Sequence, residues 1–160
     1  MHSKIFQISS KPISKDEYTD SETYYENSFA DYIGDEVKDE QEREDCVGYL
    51  AHALRGVFTA VGRDHLVYLG KDALHNFLQE WANDIKLQAS DLTADNILTN
   101  QRLYNIRATT NETHRRTSYR VHIEEWNGYA GPFEDIIEWA ANKLEKGDSI
   151  YIGAIIDYHY

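Results

Sequence analysis

A chain of 160 residues is most simply one domain, 1–160, whose single core buries roughly 70 % of the extended chain's surface. With 41 % hydrophobic residues, Pro12 and Pro132 as the only prolines, and no apolar run near the roughly 20 residues of a membrane-spanning helix, the composition excludes Pro-rich disorder and argues against a membrane. The formal net charge of −12 makes direct nucleic-acid binding a poor expectation.

Taken in chain order, Phe6 and Ile8 alternate within Lys4 to Ser9 and predict a strand. Thr19 and Glu22 have capping-box spacing, and Tyr25, Phe29, Tyr32 and Ile33 then follow at i, i+4, i+7, i+8, so a first helix is expected, stopped at Gly34. Asp39, with Glu42 three residues on, caps a second helix carrying the stripe Val47, Leu50, Ala51, Leu54. That stripe either continues through Phe58 and Val61 to Gly62 or breaks at Gly56, because an interior glycine costs about 1 kcal/mol relative to alanine. A short strand is expected over His65 to Leu69. A third helix follows from about Lys71 to Ala89, with its stripe at Leu74, Phe77, Leu78, Trp81 and Ile85.

The C-terminal third reads differently. Arg102 to Thr109 and Ser118 to Trp126 alternate, and together predict a β-hairpin burying Tyr104, Ile106, Tyr119, Val121 and Ile123. Pro132 is expected to open a helix with the stripe Phe133, Ile136, Ile137, Ala140, Leu144, ended by Gly147. Ile150 to Ile156 is apolar on both faces and suits a central strand. Segregated helices and strands favour an α+β fold, with an antiparallel or mixed sheet of about four strands packed by three to four helices. An acidic helical region at about 16–62 and a hairpin-helix-strand at about 101–157 are its two parts.

Charge is the most informative feature. Residues 16–45 hold thirteen acids against Lys38 and Arg43, eleven of the twelve net negative charges. Residues 101–122 hold Arg102, Arg107, Arg115, Arg116 and Arg120 against Glu112. Such asymmetry speaks to partners rather than to fold. The acidic stretch is read either as a solvated face that maintains solubility or as a docking surface made by Glu22, Glu26, Asp31, Asp35, Glu36, Asp39, Glu40 and Glu42. In its sharper form that surface imitates DNA, which presents one charge per roughly 1.7 Å.

Catalytic signatures are missing. No glycine-rich nucleotide turn, phosphate loop or His-Glu-x-x-His occurs, and the sole cysteine, Cys46, can form neither an intramolecular disulfide nor a thiolate metal pair. One cysteine and an N-terminus without a signal-peptide pattern point to the cytoplasm. No cofactor and no metal are expected, since the seven histidines lack local ligand spacing. The expected function is therefore a non-enzymatic interaction module binding a basic or nucleic-acid-handling partner protein. Twelve tyrosines and three tryptophans also suit self-association. The alternative is a small enzyme or phosphate-ligand site. It would use Arg107 and Arg120, with Trp126 and Tyr129 of the adjacent aromatic loop as a wall and His122 and Glu124 as acid and base.

Overall fold

The apolar run Ser149–His159 is the longest strand among the described residues, and the sheet is laid out around it. The computed structural model describes residues 2–24, 30–90, 92–98, 118–126 and 128–159. In chain order these contain β1 (His2–Ser9), two 3₁₀ turns (Lys15–Glu17 and Ser21–Tyr24), β2 (Tyr32–Glu36), α1 (Glu40–Ala53), β3 (Phe58–Val61), β4 (His65–Tyr68) and α2 (Lys71–Ser90). Then come β5 (Arg120–Ile123), β6 (Gly131–Pro132), α3 (Asp135–Lys143) and β7 (Ser149–His159). The α+β class is as expected, but the open mixed sheet has seven strands rather than about four. No helix among the described residues is long and apolar enough to cross a membrane.

The sheet runs β3-β4-β7-β1-β5-β6. Among the described strands only β1 and β5 are parallel; the other ladders are antiparallel. One edge of β7 is covered by β1. Its other edge is covered twice, by β4 over Ser149 to Tyr151 and by β2 over Ile156 to His159. Between those two strands lies a seam at Ile152 to Ile155. Three bonds from outside the ladder close it. Ile152 N–H donates to Asp64 O at 2.7 Å, Arg43 Nη2 donates to Ile152 O at 2.6 Å, and Val37 N–H donates to Ile155 O at 2.8 Å.

A β-bulge at the seam decides which residues face which side. Phe6 pairs with Ile155 and Ile8 with Ile152, so Gln7 faces both Gly153 and Ala154. The extra residue resets the alternation. Ile150, Ile152 and Ile155 join Phe6 and Ile8 in the larger core, where α1, α2 and α3 pack. Ala154, Ile156 and Tyr158 join Ile5, Tyr24, Ile33 and Ala130 on the opposite face. Gly153 is required by space: a Cβ there would stand 2.4 Å from Gln7 Oε1 and 2.9 Å from Ile13 Cδ1.

Several local expectations are corrected. Tyr32 and Ile33 are in β2, not on a helix, because β7 offers them a ladder; Tyr25 and Phe29 lie outside the described residues. Gly34 is a buried strand residue whose Cβ would come within 3.2 Å of Asp157 O, so it permits close approach of β2 to β7 rather than capping a helix. Asp39 does cap α1, accepting from Glu42 N–H at 2.9 Å, an interaction worth about 1 kcal/mol. The helix does not run on to Gly62. Gly56 adopts φ +83°, and Phe58 turns back into β3. Pro132 sits in the edge strand β6, the place in a sheet that tolerates proline, and the helix begins at Asp135. At Arg120 and Val121 the neighbours of β5 are β1 and β6, so those positions are not paired in a hairpin. The other hairpin strand, with Arg107, lies outside the described residues.

Candidate functional site

The acids expected on two helices are carried by three kinds of structure. Asp16, Glu17, Asp20 and Glu22 are on or beside the 3₁₀ turns; Asp31 precedes β2, which carries Asp35 and Glu36; Asp39 to Asp45 begin α1. Glu26 lies outside the described residues. All of these except the half-buried Glu36 are exposed. The turns lie against the sheet face that carries Ile5 and Gln7, while α1 packs on the face that carries Phe6 and Ile8. The acidic surface is therefore two banks on opposite faces of the sheet, not one helical face.

Part of that charge is compensated. Arg63, on the β3–β4 turn, bridges Glu40 at 3.0 Å and Glu44 at 3.2 Å. Lys4 reaches Glu42 at 3.1 Å and Asp157 at 3.3 Å. Exposed pairs such as these contribute only about 0.2–1 kcal/mol each and weaken with salt. Hydrogen bonds keep other carboxylates ionised: Ser14 holds Asp16 and Glu17 below the usual range, and Thr23 does so for Asp20. Glu22, Asp35 and Glu36 make no ion pair among the described residues.

The two banks meet around a cleft of about 510 Å³ beside the seam. Lys15, Lys38, Arg43 and Arg63 line it, opposed by Glu36, Glu40 and Asp64. Arg43 is its most constrained member. Its Nη2 is bound to Ile152 O, its guanidinium carbon lies 5.6 Å from the centre of the Tyr18 ring, and its buried Nη1 has no acceptor. An unsatisfied buried donor costs about 1–3 kcal/mol, more when charged. Sequence reasoning counted Lys38 and Arg43 only as counter-ions. The signal that they do something else was their position as the only cations within the acidic run.

The proposed acid and base, His122 and Glu124, are brought together, with His122 inside the fold and Glu124 exposed at its edge. The strand face expected to be polar and open is covered by the second core, so His122 is 6 % exposed and Tyr24 packs edge-on against it at 5.6 Å. His122 Nε2 is 3.6 Å from Glu124 Oε1. Its Nδ1 is buried without a partner. Glu124 in turn accepts from Gln7 Nε2 at 2.7 Å. Gln7 also donates to Glu17 O at 2.9 Å and accepts from Thr19 N–H at 3.2 Å and Ala154 N–H at 2.9 Å. The cluster thus ties the acidic turns to the bulge.

Burial lowers the pKa of His122, and Glu124 offsets this only in part. A histidine kept neutral by the fold contributes stability above its unfolded pKa of about 6.5 and loses it as pH falls. His122→Phe is expected to flatten the decline in denaturation midpoint between pH 7 and pH 5; an unchanged slope would show that His122 is not the group titrating.

Arg120 and the aromatic loop that carries Tyr129 are brought together. Arg120 Nη1 donates to Ala130 O at 3.2 Å, bracing the loop before β6. Trp126 and Tyr129 are 37 % and 52 % exposed, whereas Phe133 from the same loop is 1 % exposed in the core. Cys46 is buried, which pushes its thiol pKa up and suits packing rather than nucleophilic chemistry. No group of three or more His, Cys, Asp or Glu among the described residues is placed to hold a metal ion. No protein-family model, curated protein or solved structure matches this chain.

Proposed function

We propose that this protein is a non-enzymatic interaction module that docks a basic or nucleic-acid-handling partner protein against its acidic surface, in the manner of a DNA mimic. The observation that carries this reading is the concentration of eleven of the twelve net charges in residues 16–45, together with the exposure of their carboxylates on both sides of one sheet. Two ordered banks separated by the sheet edge resemble two charged strands more than a single helical stripe does. Charge of this kind acts mainly on association rate and on discrimination between partners.

The test starts from capture of a nuclease-resistant, stoichiometric basic partner. Its association rate is then measured for the native chain and for a variant with Asp35, Glu36, Asp39, Glu40 and Glu42 converted to their amides. Asn at 39 retains a helix cap. The variant is expected to associate about 10–100-fold more slowly at low salt and to converge with the native chain at high salt. An unchanged rate with an unchanged circular dichroism spectrum overturns the reading. The arginine-rich alternative has less support, because Arg120 is engaged with the backbone.

A further inference from the structure

Lys15, Lys38 and Arg43 reach the seam cleft from three separate segments: a 3₁₀ turn, the residue before the α1 cap, and α1 itself. Although thirteen acids surround them in sequence, none of the three makes an ion pair among the described residues. Arg63, the fourth cation, is already held by Glu40 and Glu44. Arg43 cannot swing toward a carboxylate, because Ile152 O and the Tyr18 ring fix its guanidinium. Its Nη1 is buried within the protein, so Arg43 offers the cleft its fixed positive charge rather than a free fork. Two exposed lysines without an ion pair and one fixed guanidinium, converging on one recess, are an arrangement that suits an oxyanion.

The shape and lining narrow the class. A volume of about 510 Å³ has room for a small molecule. A tetrahedral phosphate presents acceptor oxygens toward several directions, matching donors that arrive from three segments, whereas a carboxylate presents two in one plane. Glu36 and Asp64 in the same wall repel further negative charge and accept hydrogen bonds, which favours hydroxyl groups on the rest of the ligand. We propose that the cleft beside the β4–β7–β2 seam is a binding site for a small hydroxylated phosphate monoester, gripped by Lys15, Lys38 and Arg43. This site is separate from Arg107 and Arg120, and it does not depend on the acidic surface docking a partner.

Ribose 5-phosphate, inorganic phosphate and ribose serve as probes, titrated by calorimetry and thermal denaturation at constant ionic strength. Ribose 5-phosphate is expected to bind saturably and raise the melting temperature, inorganic phosphate to bind more weakly, and ribose alone to do neither. Lys15→Gln combined with Lys38→Gln, both exposed, is expected to weaken ribose 5-phosphate binding at least tenfold while leaving the ligand-free melting temperature unchanged. Arg43→Lys, which keeps a charge but releases it from Ile152 O and the Tyr18 ring, is expected to weaken binding by loss of preorganisation. The absence of saturable binding by either phosphate probe overturns the proposal, as does equal affinity in the double-lysine variant.

Discussion

Replacing Gln7 with leucine is expected to cost about 3–5 kcal/mol of folding stability, measured by urea denaturation. Gln7 is 1 % exposed and its amide satisfies four groups at once. Two of these, on Thr19 and Glu124, lie near enough to the surface for water to replace the lost bond. Ala154 N–H does not, because Ala154 is 0 % exposed and its bond to β1 is the one the bulge has displaced onto the Gln7 side chain. Gly153→Ala attacks the same contact from the other side. Its Cβ would sit 2.4 Å from Gln7 Oε1, and overpacking of this kind costs about 1–3 kcal/mol. Gly153→Ala combined with Gln7→Ala is expected to be strongly non-additive, since Gln7→Ala vacates the space that the new methyl needs. An additive double-mutant cycle would show that the bulge is held by something other than Gln7.

The second large effect separates two tryptophans. Trp139 on α3 is 2 % exposed and is the largest fully buried side chain. Truncation to alanine is expected to cost about 3–5 kcal/mol, because α3 is short and the surrounding strands cannot collapse into the space. Trp126→Ala, at 37 % exposure beyond the end of β5, is expected to change stability by no more than about 0.5 kcal/mol. Equal effects at the two positions would mean that Trp126 shares the core, contrary to its exposure. If Trp126 instead matters for self-association, its loss shifts the sedimentation behaviour and leaves the denaturation midpoint in place.

Much of the fold was legible from local pattern. Leu74, Phe77 and Trp81 of the α2 stripe, the cap and core positions of α1, the buried face of α3 and the two-sided apolar run of β7 all follow from periodicity, which depends on near neighbours alone, whereas Leu78 of the same stripe is exposed. The sequence by itself also determined where the negative charge lies and which catalytic signatures are missing. Other features were settled only by distant partners. Tyr32 and Ile33 fit a helical stripe and a strand equally well, and β7 decided between them. Pro132 reads as a helix opener until β6 is seen to be an edge. His122 alternates as a solvent-facing strand residue should, yet Tyr24 and the second core cover that face. The candidate site shows the same division. Its carboxylates were visible in the chain, but whether they formed one bank or two depended on which side of the sheet each segment crosses. The cleft could not be read at all, because Lys15, Lys38 and Arg43 meet only where β4 and β2 stop short of one another along β7. That seam is a product of strand lengths and a single bulge, and tertiary structure alone sets both.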